Sequence, residues 1–195
     1  MPQGVRPGGR RILLHACCGP CSIAPVRRLK DEGWEVTALF YNPNIHPLAE
    51  YRRRAEAMAS AAERLGIGVI WKHDEYDPQV YFRAVTFREA NRCFHCYQIR
   101  LERTAQIARR GGFDAFSSTL LYSKLQKHDT IAALGRDLAG GGKPEFLYRD
   151  FRAGWKEGIE TSKEWGLYRQ QYCGCLYSEQ ERYAKEPLPG TEAGA

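Results

Sequence analysis

The chain has 195 residues, 43% hydrophobic and 27% charged, with a formal charge of +6 and an isoelectric point near 9.0. That length is expected to give one domain with a substantial core, and the basic balance permits a polyanionic partner without requiring one. No stretch approaches the roughly 20 apolar residues of a membrane span and MPQGVRPGGRR lacks a secretory signal's apolar segment, so a cytoplasmic protein without membrane partners is expected.

In chain order, residues 1–10 read as a disordered basic tail, 187–195 as a second tail, and 11–186 as a single catalytic α/β domain. Ile12, Leu13 and Leu14 form a brief buried strand, followed by a helix with Ser22 as N-cap and Pro25 in its first turn, ending near Gly33. Val36 to Tyr41 is a second strand, closed by Asn42-Pro43-Asn44; Pro47 opens a helix over Leu48 to Leu65, which Gly66 stops. Val69 to Lys72 is a short third strand, and Asp77-Pro78 caps a short helix. A longer helix runs from near Cys93 to Arg110. Ala115 to Leu120 is strand four, residues 124–138 a helix, Glu145 to Tyr148 strand five, and the remainder is helical around Trp155 to Trp165 and after Ser178 as N-cap. This alternation predicts a mostly parallel sheet of about five strands with helices on both faces.

Seven cysteines, an odd number in a reducing compartment, argue for metal binding or redox chemistry over a disulfide framework. Each group follows a strand: Cys17, Cys18 and Cys21, then Cys93 and Cys96, then Cys173 and Cys175. In open α/β sheets ligands bind at the carboxyl ends of the strands, so all seven are expected at one edge. Thiols at a helix N-terminus favour the thiolate, the form that binds metals. Cys93-Phe94-His95-Cys96 has the spacing of a metal or cluster site, and Cys173-Gly174-Cys175 points two sulfurs to one side. Adjacent Cys17 and Cys18 are expected to diverge and serve two centres.

A [4Fe-4S] cluster takes four cysteines and leaves three for a second metal; a structural zinc with three bystander thiols uses the same residues. Cys18-Gly19-Pro20-Cys21 also matches a thioredoxin-like CGPC, although that reading ignores five cysteines and no proline is marked as the cis-proline it needs. His15 reads as a satisfied core histidine, His46 and His128 as substrate contacts, and His73 and His95 as surface residues.

Taken together, HACCGPC, YNPNIHPLAEYRRR, RCFHCYQIRLERTA, FSSTLLYSKLQKH, DFRAGWKEG and LYRQQYCGCLYS resemble the cobalamin-independent, QueH-type epoxyqueuosine reductases over residues 11–185. The resemblance implies a Rossmann-like (HUP-type) fold carrying a [4Fe-4S] cluster with an adjacent mononuclear iron. It also implies reduction of the epoxide of epoxyqueuosine at the tRNA wobble position, with electrons from an unidentified donor. Carried over by position, Cys17, Cys18, Cys93, Cys96, Cys173 and Cys175 match the metal-binding pattern, with Cys21 at a position that is aspartate in some relatives. The division this suggests puts Cys18, Cys93, Cys96 and one of the last pair, Cys175, on the cluster, and Cys17, Cys21 and the other on the lone iron.

On that reading Cys17 belongs to the catalytic groups, with Tyr122, His128 and Tyr168 as proton-donor candidates. Tyr41, Tyr51, Tyr97 and Tyr122 are stacking candidates for a base drawn out of the anticodon. Asn42, Asn44 and His46 of NPNIHP are substrate contacts, and Arg52, Arg53, Arg100, Arg149 and Arg152 are phosphate contacts. The competing expectations are a zinc-stabilised tRNA-binding protein and a CGPC thiol-disulfide oxidoreductase.

Overall fold

The computed structural model describes residues 9–186. Within them lie five strands, β1 (Arg10–His15), β2 (Trp34–Phe40), β3 (Gly68–Trp71), β4 (Ala115–Ser118) and β5 (Glu145–Phe146). They form one sheet in the order β3-β2-β1-β4-β5, with every pair parallel. The helices are α1 (Gly19–Asp31), α2 (Leu48–Leu65), α3 (Pro78–Val85), α4 (Arg92–Arg110), α5 (His128–Ala139), α6 (Trp155–Glu164) and α7 (Leu176–Tyr183).

β1 is central because it is apolar on both sides. Ile12 and Leu14 pack with Val26, Leu29 and Val36, while Leu13 faces the opposite side with Ala105 and Ala108 of α4. A strand buried on both faces carries a continuous apolar run, as Ile12-Leu13-Leu14 does. α1 lies against α2 and α6, and α4 against α5, so each strand hands the chain to a helix on one of the two layers. The approach of α1 to α2 depends on Gly19, where a Cβ would lie 2.1 Å from the carbonyl oxygen of Ala57.

α2 has the expected bounds and ends on Gly66 in the left-handed conformation, and Asp77 caps α3 through the N–H of Gln79. Other boundaries differ for local reasons. Arg10, assigned to the tail, is the first residue of β1, opposite Trp34; the rest of that tail and the 187–195 tail lie outside the described residues. α1 begins a turn before the expected Ser22 cap, because Pro20 in the first turn lacks only an N–H that would go unpaired there. Ser22 instead donates to the Cys18 carbonyl at 2.8 Å, and Pro25 lies inside the helix.

β4 stops at Ser118, whose Oγ accepts the N–H of Leu120 and starts a 3-10 turn over Thr119–Tyr122. α5 starts at His128, not at 124, because Ser123 Oγ takes the N–H of Leu125 and folds those residues into a turn. β5 covers only Glu145–Phe146. Ser178, expected as a cap, lies inside α7 and donates to the carbonyl of Cys175, the actual cap. The His46–Pro47 and Lys143–Pro144 peptides are cis, which no sequence signal marked. No helix among the described residues is long and apolar enough to cross a membrane.

Candidate metal centre

Beyond β1 the chain turns at Cys18, which is extended (φ −172°, ψ 167°), and enters α1 at Gly19. The turn brings Cys17, Cys18 and Cys21 together, all buried, with their sulfurs within 4.8 Å of one another and those of Cys17 and Cys18 3.8 Å apart. The expected divergence of Cys17 and Cys18 is therefore not found. Side chains alternate only within a regular strand, and β1 has already ended at His15.

Two neighbouring segments hold this trio. Thr119, presented by the turn after β4, accepts the N–H of Cys17 at 3.2 Å and donates to its sulfur at 3.4 Å. Gln170 Nε2 donates to the Cys21 sulfur at 3.2 Å. Hydrogen bonds from Cys18, Cys21 and Thr119 hold the Cys17 thiol well below its usual range. Burial pushes Cys18 up, and the neighbouring sulfurs do the same to Cys21, so Cys17 is the most acidic thiol of the three.

The other four cysteines surround a cavity of about 350 Å³. Cys93 and Cys96 sit in the first two turns of α4, while Cys173 and Cys175 lie on the segment that leads into α7. Arg100, one helical turn beyond Cys96, donates through Nε to the Cys96 carbonyl and through Nη2 to its sulfur, both at 3.0 Å. Gln126 Nε2 donates to the Cys173 sulfur at 3.4 Å, and Gln126 Oε1 accepts the hydroxyl of Tyr97 at 2.8 Å. Burial pushes the Cys96 thiol up to about 12 and raises Cys173. Burial also acts upward on Cys175, but the Ser178 and Tyr81 hydroxyls outweigh it and the net shift is downward.

A smaller cavity of about 170 Å³ adjoins Cys17, Cys21, Thr119 and Gln170. Arg100, Gln126 and Cys173 line both cavities, so the two sets of sulfurs share a wall. Of the residues around the two cavities only Glu181 is acidic, and it pairs with Arg92. The donors are thus soft sulfurs, a set that suits zinc, copper(I) or iron-sulfur chemistry.

Several residues singled out in the sequence lie elsewhere. Tyr122 donates its hydroxyl to the Trp155 carbonyl at 3.0 Å, Tyr168 donates to Glu50 at 2.5 Å, and His128 sits between Tyr148 and Ser123; none of the three lines either cavity. Tyr41 is buried in the sheet's core, and Tyr51 pairs with His73 Nδ1 at 2.9 Å. His73 is exposed, as expected, with its Nδ1 turned toward the Tyr51 hydroxyl. His46 stacks on Phe82 with centroids 4.7 Å apart, and Asn42 donates to the Ala16 carbonyl. Asn44 and Tyr97 do line the larger cavity. His15 is the satisfied core residue expected, between Ser118 Oγ and the Tyr41 carbonyl.

The arginines differ in setting. Arg54 stands in a run of three arginines yet is buried, and Arg100 is only 1% exposed, in the wall of both cavities. Arg149 pairs with Glu32 and Arg152 with Asp150, while Arg52 lies on the exposed face of α2. Thr119, Gln126 and Gln170, which touch sulfur directly, went unnoticed because a neutral side chain carries no charge or ligand signature in a sequence.

An all-parallel α/β sheet with seven thiols gathered at its carboxyl edge defines a Rossmann-like protein equipped to hold a metal. Among solved structures, a predicted subunit of tRNA methyltransferase from Methanocaldococcus jannaschii has the same fold, with a TM-score of 0.51 at 16% identity, covering 80% of this chain and 76% of that one. The family described as "Epoxyqueuosine reductase QueH" matches residues 12–181. A protein of that name from Dehalococcoides mccartyi is 37% identical over 179 residues, 92% of this chain and 98% of the relative. One from Thermotoga maritima is 35% identical over 184 residues, 89% of this chain and 93% of the relative. The chain belongs to the epoxyqueuosine reductase QueH family of oxidoreductases.

Proposed function

We propose that this protein reduces the epoxide of epoxyqueuosine at the wobble position of a tRNA anticodon to the alkene of queuosine. The observation that carries the reading is the convergence of cysteines from three distant segments on two cavities with a common wall, in a member of this family. Removing the epoxide oxygen as water takes two electrons and two protons. Ordinary side chains do not supply the electrons, so an external donor must feed a redox centre in the protein.

The donor set fits a [4Fe-4S] cluster with an adjacent mononuclear iron. Seven sulfurs satisfy four cluster ligands and leave three, and a carboxylate-poor lining suits soft metals. Such a centre, when bound, supplies one-electron transfer and a Lewis acid for the leaving oxygen. The chain's own residues do the rest. Thr119 and Gln170 fix the sulfurs of Cys17 and Cys21, and Gln126 and Arg100 fix those of Cys173 and Cys96. Asn44 and Tyr97 offer polar contacts inside the larger cavity, while Leu125, Gln171 and Tyr172 line both cavities, where an extruded base would enter.

Anaerobic incubation of iron-loaded protein with tRNA carrying epoxyqueuosine and a chemical reductant, followed by nucleoside mass analysis, tests the proposal. Conversion to queuosine is expected. Unchanged epoxyqueuosine with iron-replete protein would refute it.

A further inference from the structure

Two arginines are buried among the described residues, and their surroundings differ. Arg54 is matched by the carboxylate of Glu50 at 2.8 Å. Arg100 has no carboxylate partner among the described residues; its neighbours are the carbonyl and sulfur of Cys96 and the ring of Tyr97, 5.9 Å from Cζ. A guanidinium does not give up its proton, so this fixed positive charge must be compensated within the fold. The groups able to do so are sulfurs held as thiolates by a metal, since the guanidinium borders both cavities and donates to the sulfur of Cys96.

We propose that Arg100 is a positioning residue for the redox reaction: the permanent counter-charge of the sulfur-bound metal centre, set in the wall common to both groups of cysteines. The assignment rests on the metal reading above. A cation held against sulfur ligands favours the state with one more electron, because net charge and hydrogen bonds to sulfur set the potential of such centres. Its position in helix α4, one turn after Cys96, ties that charge to the ligand itself.

The test compares wild type, Arg100→Lys and Arg100→Gln after anaerobic reconstitution with iron and sulfide, reading iron content and the reduction potential by spectroelectrochemistry. Arg100→Gln keeps a hydrogen-bond donor but loses the charge, and is expected to shift the potential negative by about 59 mV or more, a tenfold change in a one-electron equilibrium. Arg100→Lys keeps the charge and is expected to shift it by less than half as much. Loss of iron in Arg100→Gln but not in Arg100→Lys supports the same role. Equal shifts in both variants, no shift in either, or equal loss of iron from both would overturn it in favour of packing alone. A wild-type protein that takes up no iron overturns the metal reading itself, and this assignment with it.

Discussion

Arg54 and Glu50 meet at 2.8 Å in the interior, one turn apart on α2, and the remaining nitrogens of Arg54 reach across to the carbonyls of Tyr172 and Cys173 at 2.9 Å. The pair therefore holds the cysteine-bearing segment before α7 against a helix more than a hundred residues earlier in the chain. Removing one member leaves the other charged and buried, which costs about 3–5 kcal/mol. Glu50→Gln and Arg54→Met should each lower the urea unfolding midpoint accordingly. A change below about 1 kcal/mol would show that water, not the partner, compensates the charge.

Gly19 gives a second prediction. A methyl group there would fall 2.1 Å from the Ala57 carbonyl, with backbone on both sides of the conflict, so α1 must move away from α2. Gly19→Ala should destabilise by about 1–3 kcal/mol, the usual range for overpacking, despite the higher helix propensity of alanine. Since Cys18 and Cys21 flank the glycine, it should also reduce iron uptake. Chemical denaturation and metal analysis measure the two effects separately.

Burial holds the imidazoles of His15 and His46 down to about 4, below their ordinary 6.5. A depressed base binds fewer protons in the folded than in the unfolded chain, so stability rises with pH across the interval between the two values. The contribution is complete above about 6.5 and is lost as pH falls through that window toward 4. Urea midpoints of the metal-free protein should be lower at pH 5 than at pH 7. In His46→Gln that difference should shrink, since a group that titrates only in the unfolded reference has been removed.

Gln170 and Gln126 donate to the sulfurs of Cys21 and Cys173. Groups that orient ligands are worth about 10–100-fold in metal affinity. Gln170→Leu and Gln126→Leu should fold normally yet lose iron to a chelator about tenfold faster than wild type, a rate read from the decay of visible absorbance.

The sheet was legible because its signals are local: Ile12-Leu13-Leu14 is apolar on both faces, and Pro47 and Gly66 bracket α2. The gathering of the cysteines was legible too, since strand order places every following segment at one edge. What escaped depends on contacts distant in sequence. Arg54 looks like any residue of a basic run until Glu50 and the Tyr172–Cys173 carbonyls surround it. The 3.8 Å approach of Cys17 to Cys18 comes from the exit of the chain from β1, which hydrophobic patterning does not encode.

The most direct test of the central claim is iron, zinc and visible-absorbance analysis of anaerobically prepared protein, with Cys18→Ala, Cys93→Ala and Cys173→Ala alongside, one from each segment. Brown wild-type protein with about four to five irons, and loss of that iron in all three variants, is the predicted result. Colourless protein with a single zinc, or full iron content in Cys93→Ala, would contradict it.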